Sequence, residues 1–268
     1  MKKRIRNIAI ILVALLIALE GGLQIFVQIE MEKREDAPGN AAEYDISNLE
    51  KNLDHSLNGK TIIFLGSSVT DGAAAEQQSF VELFEYRDGV QAIKEAKSGT
   101  TLVNQTSIPS FLAFGNGKSY VRRLKELNID EKVDCVVCQL STNDATMKKD
   151  LGQISESKEL KDFDTSTITG AMEYVIAYSE QTWNCPVVFY TGAYYSNKEY
   201  EKMVQQLYAL QDKWSIGIID LYSDKVFNDI DQESYELYMY DEIHPTKAGY
   251  EEWWMPIMEK QLIEFLCK

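Results

Sequence analysis

Five short runs, most of them continuously apolar, govern what this chain can become. They are TIIFL at 61–65, QAIKEA at 91–96, VDCVVCQL at 133–140, PVVFYTG at 186–192 and IGIIDL at 216–221. Runs of this length without polar alternation are strands buried on both faces, the mark of a parallel sheet covered by helices. Helical patterns fill the gaps at about 78–87, 118–127, 167–183 and 197–213, and another follows Pro245. Ile168, Ala171, Met172, Val175, Ile176 and Ser179 recur at helical spacing in the clearest of them. The alternation predicts an α/β fold, a doubly wound and mostly parallel five-stranded sheet with helices on both faces.

The last helix carries a stripe of Tyr250, Trp253, Trp254, Ile257, Met258, Leu262 and Phe265, which periodicity assigns to the core rather than to a sugar platform. Pro256 must kink or restart it. The four cysteines, Cys135, Cys138, Cys185 and Cys267, lack the dense spacing of a disulfide scaffold and read as mostly buried thiols. Cys135 and Cys138 form a C-x-x-C, but an odd separation within a strand points them to opposite faces, so they cannot share a metal.

Ahead of these elements, MKKRIR at 1–6 is basic and the run from Ile8 to Ile29 is apolar apart from a few interruptions such as Glu20. About 22 helical residues span roughly 33 Å, the thickness of a bilayer core. Basic residues before such a run stay in the cytoplasm and place the remainder outside. Residues 1–29 are therefore expected to be a transmembrane anchor on a single-pass membrane protein; the alternative is a signal segment, whose cleavage would release a secreted domain. Residues 30–59 read as a linker and a short amphipathic helix through Ile46, Leu49, Leu53 and Leu57, with His55 an exposed helix or turn residue. The remaining 60–268 form one domain.

Charge narrows the partners. The formal net charge is −15, and because Lys2, Lys3, Arg4 and Arg6 carry +4 at the very start, everything after them sums to −19. Nucleic acid is not an expected partner, since phosphate binding needs a basic face. Asp229, Asp231 and Glu233 have a faint calcium-loop spacing, but Ser234 stands where the sharp turn needs glycine, so no metal is expected there.

Ligands of doubly wound sheets bind beyond the carboxyl ends of the strands. Gly66-Ser67-Ser68-Val69-Thr70-Asp71-Gly72 follows the first strand. Such a turn can carry a nucleophile, bind phosphate or merely cap a helix. A serine hydroxyl attacks only when an imidazole takes its proton, and that imidazole needs a carboxylate to hold its tautomer. Asp241 and His244, in DEIHP, offer that pair, and His55 is the only other histidine. The competing reading of His244 is a solvated loop residue before a helix that starts at Pro245. Acyl transfer also needs N–H donors aimed at a carbonyl oxygen. The backbone N–H groups of Ser68 and Gly99 and the side-chain amide of Asn143 are the candidates, although Asn-Asp after a strand also serves as a turn.

Taken in chain order, GSSVTDG, KSGTTL, STND and DEIHP resemble the four blocks of the SGNH, or GDSL-type, hydrolase family. The resemblance covers about 60–268 and implies a flavodoxin-like fold. It also implies a Ser68–His244–Asp241 triad, an oxyanion hole of Ser68, Gly99 and Asn143, and no metal or organic cofactor. There are two departures. Ser67 replaces the usual acidic residue before the nucleophile, and Ser141-Thr142 occupies a position where glycine often precedes the asparagine by two.

The implied activity is that of an extracytoplasmic serine esterase acting on small-molecule or glycan esters, such as acetyl groups. The alternatives are a lysophospholipase or thioesterase, or a catalytically silent surface module that binds glycans. The polar stretch 145–166 is expected to be either a lid or a solvated loop.

Overall fold

The computed structural model describes residues 32–52, 54–103 and 118–267. The expected membrane segment lies outside them; among the described residues no helix is long and apolar enough to cross a membrane. Five parallel strands form one sheet: β1 (Thr61–Gly66), β2 (Gln91–Ala96), β3 (Cys135–Gln139), β4 (Val187–Tyr190) and β5 (Gly217–Ile219). Their order is β2-β1-β3-β4-β5, the flavodoxin-like arrangement whose switch point lies between β1 and β3. All five expected strands form.

Alternate residues of each strand feed opposite cores. Ile63, Leu65, Val136, Cys138, Val187 and Phe189 face one cluster. It is completed by α3 (Tyr120–Glu126), α5 (Ile168–Trp183) and α6 (Lys198–Leu210). Ile62, Phe64, Cys135, Val137, Val188 and Tyr190 face the other, against α2 (Phe80–Tyr86) and α8 (Met255–Leu266). Cys135 and Cys138 thus lie on opposite faces, as a two-residue period demands. Cys185 is also a buried thiol, whereas Cys267 is exposed.

The remaining helices are short: α1 (Ser68–Asp71), α4 (Thr142–Thr146) and α7 (Gln232–Tyr238). Asp231 caps α7, its carboxylate accepting from the Ser234 N–H at 2.8 Å, which is the work this member of the acidic triplet performs. A π-helical turn, Gly249–Trp254, precedes α8. Pro256 has no N–H to donate to the carbonyl four residues back, and its ring crowds that carbonyl, so the widened turn just ahead of it has a local cause. Trp254 is wholly buried, edge-on to Tyr190 and Tyr250.

Two expectations fail. Ile46, Leu49 and Leu57 do not share a helix; 3-10 turns at Pro38–Asn40, Ala42–Tyr44 and Ile46–Asn48 instead press Ile46 and Leu49 onto the core individually. Each of those turns breaks off after three residues, at an extended residue. His55 is in a turn but not exposed: its side chain is 7% accessible and its Nε2 meets Glu259 of α8. Arg87 joins the same cluster, bonding Asp88 at 2.7 Å and Glu259 at 2.7 Å.

The 145–166 stretch is pinned down along its length. Ile168 and Thr169 donate back to the carbonyls of Asp150 and Leu151, both at 2.9 Å. Buried Glu173 accepts from the Ser155 N–H at 2.9 Å and the Trp214 indole at 3.1 Å. Lys213 Nζ reaches the Ser155 carbonyl at 2.5 Å. Leu151, Ile154 and Leu160 pack on the core, so the stretch is neither fully solvated nor detached.

Replacing Trp254 with Ala should cost ~3–5 kcal/mol of unfolding free energy. Urea titration measures it, and a loss under ~1 kcal/mol would show that the indole is not a core anchor.

Candidate active site

The turn after β1 is built around one buried amide oxygen. Gln139, the last residue of β3, is 1% exposed, and its Oε1 accepts from the Ser67 N–H at 2.8 Å and the Thr70 hydroxyl at 2.9 Å. The Thr70 hydroxyl also meets the Tyr190 hydroxyl at 2.6 Å. These bonds turn the chain from strand into α1, whose first residue is Ser68. The Ser68 N–H therefore has no acceptor within the helix. Gly66 is obligatory here, because a Cβ on it would lie 1.7 Å from Thr70 Oγ1.

The far end of the chain comes back to this turn. Tyr240 N–H donates to the His244 carbonyl and Thr246 N–H to the Tyr238 carbonyl, both at 2.9 Å, closing a hairpin-like loop. Gly249 lets the following helix approach, since a Cβ there would lie 2.0 Å from the Tyr238 carbonyl oxygen. Tyr250 then donates to the Val69 carbonyl at 2.6 Å, tying this helix to α1. His244 Nε2 lies 2.8 Å from Ser68 Oγ, and its Nδ1 lies 2.8 and 2.9 Å from the two Asp241 oxygens.

The Asp241 carboxylate also accepts the N–H groups of Ile243 and His244, each at 2.8 Å. Partial burial would raise its pKa. The bonds from His244 and from these two amides outweigh that and hold it below the ordinary carboxylate value. Asp241 is thus held ionised beside the ring.

Gly99 and Asn143 converge on a third element. Thr100 N–H bonds the Lys97 carbonyl at 3.3 Å, closing a turn in which Gly99 has φ +76°, a conformation glycine adopts without strain. Asn143 Nδ2 donates to the Thr100 carbonyl at 2.8 Å, so the asparagine amide is fixed one residue from Gly99 and keeps a second N–H. Buried Arg123 stitches this turn to the end of β1, reaching the Gly66 carbonyl at 2.7 Å and the Thr100 hydroxyl at 3.2 Å. Asp144, fully buried, accepts from Leu102 N–H at 2.7 Å and Val103 N–H at 3.3 Å.

Gln139, Arg123 and Asp144 were not singled out from the sequence. A glutamine closing the apolar run CVVCQ was the available signal for the first.

Residues 64–252 match the GDSL-like lipase/acylhydrolase family. The chain belongs to that family. Solved structures share the fold. A Lactobacillus plantarum protein superposes with a TM-score of 0.57 at 18% identity, over 78% of this chain and 97% of the other. A member of the lipolytic G-D-S-L family from Veillonella parvula gives 0.51 at 15% identity, over 78% and 100%. A family two carbohydrate esterase from Clostridium thermocellum, solved with cellohexaose, gives 0.52 at 14%, over 78% of this chain and 65% of that one. No curated protein matches.

Both departures from the GDSL pattern have local roles. Ser67 is wholly buried, and its N–H and hydroxyl both donate to Gln139 Oε1, the latter at 3.3 Å. Ser141 is the N-cap of α4, accepting from the Asp144 N–H at 3.3 Å. Among the described residues one group could gather a metal, His55, Asp88 and Glu259, with ligand atoms within 4.8 Å of one another. Arg87 already neutralises both carboxylates there.

Burial pushes the Asp144 carboxyl up to about 6 from 3.8, with the Ser141 hydroxyl and the Leu102 and Val103 amides offsetting only part of the penalty. The folded chain therefore binds this proton more tightly than the unfolded chain. The stabilisation is fully present below the unfolded value and is lost as pH rises through the folded one. Compared with Asp144→Asn, the wild type should gain stability as pH falls from about 6 towards 3.8. Thermal melts of both proteins across that range test it, and a difference of opposite slope would contradict it.

Proposed function

We propose that the chain is a serine esterase of the GDSL-like family, with Ser68 as nucleophile, His244 as base and Asp241 as the group that orients the ring. The observation that carries this reading is the unbroken series of contacts from Asp241 through His244 to Ser68 Oγ, the last at 2.8 Å. With Nδ1–H directed at Asp241, Nε2 is left unprotonated to receive the hydroxyl proton.

In the proposed cycle Ser68 Oγ attacks the ester carbonyl carbon as its proton passes to His244 Nε2, and the carbonyl π pair moves onto oxygen. The Ser68 and Gly99 N–H groups and the second N–H of Asn143 are the proposed donors to that oxygen. Collapse expels the alcohol, which takes the proton from His244. Water, deprotonated by the same ring, then releases the acid and restores Ser68. Every proton transfer is accounted for by His244, so no cofactor enters the proposal.

The proposed setting is outside the cytoplasmic membrane, tethered by residues 1–29 or released after their cleavage; the basic start and the apolar run support it. The proposed substrates are short acyl esters, acetyl groups on glycans among them. The fold shared with a carbohydrate esterase and the acidic domain, which disfavours polyanions, both suit an uncharged glycan.

Ser68→Ala and His244→Ala should each lower kcat at least about 10⁴-fold on an activated acetyl ester, with KM little changed. A fluorophosphonate probe should label wild type and not Ser68→Ala. A wild type that neither labels nor turns over would leave a silent glycan-binding module as the better reading. Asn143→Ala should lower kcat about 10²- to 10³-fold. Acetyl esters should be preferred to octanoyl esters in kcat/KM, and the reverse order would point to a lysophospholipase or thioesterase.

A further inference from the structure

Residues between the apolar N-terminal run and β1 do not merely connect them. Asn40 is 3% exposed although its surroundings, APGNAAEY, have linker composition. Its Nδ2 donates to the Ala74 carbonyl at 2.7 Å and to the Arg34 carbonyl at 2.5 Å, while its Oδ1 accepts the Lys247 N–H at 2.9 Å. Ala74 closely follows α1, which begins at Ser68, and Lys247 closely follows His244. One side chain therefore bonds both segments whose approach brings Ser68 and His244 together.

Neighbouring groups repeat the bridge. Lys247 Nζ, 3% exposed, pairs with Asp45 of the strap formed by residues 34–45 and with Glu76 beyond α1, each at 2.9 Å. Arg34 donates to the Ala73 carbonyl at 2.9 Å and lies over the Tyr240 ring at 5.6 Å. Gly39 lies so close to the His244 loop that a Cβ on it would be 2.0 Å from the Leu237 carbonyl oxygen and 2.3 Å from Thr246 Oγ1. The strap thus touches the Ser68 side and the His244 side at several points.

We propose that residues 34–45 are a built-in clamp that sets the His244 loop against α1, and that Asn40 is its positioning residue. The inference rests on the esterase reading for its catalytic consequence, though not for the clamp itself. Asn40 reaches neither Ser68 nor His244, so its effect is on the alignment of hydroxyl and imidazole rather than on substrate contact. Alignment errors of about 1 Å can cost about 10²-fold in rate.

The test compares the wild-type chain with Asn40→Ala, Asn40→Asp, Arg34→Ala and the control Asn48→Ala, whose side chain bonds the Ala42 and Glu43 carbonyls within the strap. Amide hydrogen exchange and steady-state kinetics on an acetyl ester are measured for each. Asn40→Ala should exchange faster in both 72–78 and 239–249 and lose about 10- to 100-fold in kcat with KM changed by less than about threefold. Asn40→Asp keeps the acceptor for Lys247 but not the donors, so it should restore slow exchange at 239–249 alone and an intermediate kcat. Arg34→Ala, the milder lesion, should speed exchange at 72–78 and carries the test should Asn40→Ala not fold. Asn48→Ala should match wild type.

Exchange that rises uniformly over the domain, or a kcat within about twofold of wild type for a folded Asn40→Ala, would overturn the clamp. Should the wild type itself prove inactive, the esterase reading fails, and the exchange pattern alone then decides whether the clamp exists.

Discussion

The contact between His244 Nε2 and Ser68 Oγ joins residues 176 apart, and much of the molecule's polar interior serves to make it possible. The sheet supplies the frame. Parallel strands present their carboxyl ends on one edge, so the turns after β1, β2 and β3 deliver Ser68, Gly99 and Asn143 to that edge. His244 comes from no strand end. It arrives on a loop between α7 and the C-terminal helix, and that loop needs attachments of its own.

The turns and this loop are held by buried hydrogen bonds, which are worth only about 0.5–1.5 kcal/mol each in stability but cost more when one partner is lost. Gln139 shapes the turn that carries Ser68, Asp144 and Arg123 fix the turn that carries Gly99, and Tyr250 ties the last helix to α1. A packed apolar core could not achieve this, since dispersion contacts do not specify direction. Directional bonds between buried groups do, and here they converge on the turn ends rather than on the substrate side. The esterase chemistry proposed for this member of the GDSL-like family would fall on this edge, where preorganised donors can lower a barrier without reorganising during reaction.

Much of this was legible in the chain. The strands were visible because each is short, apolar and bounded by turn residues, and β3 showed its two-faced burial through Cys135 and Cys138. The four blocks could be found because their residue types are tied to a chemistry that demands a hydroxyl, an imidazole, a carboxylate and amide donors. What stayed hidden was the support behind them. Gln139 looks like any polar residue at a strand end, and Asn40 sits in a stretch with linker composition. His55 pairs with Glu259 across 204 residues, a partnership no local pattern encodes. Ile46, Leu49 and Leu57 mimicked helical spacing because three residues anchored separately to one surface can repeat at the same intervals.

The most direct measurement of the central claim is a crystal structure of the chain after reaction with a small phosphonate. The phosphorus should be bonded to Ser68 Oγ, with the phosphoryl oxygen about 2.7–3.1 Å from the Ser68 and Gly99 amide nitrogens and from Asn143 Nδ2, and the His244 ring still against Asp241. An adduct on another residue, or a phosphoryl oxygen directed to solvent away from these donors, would contradict it.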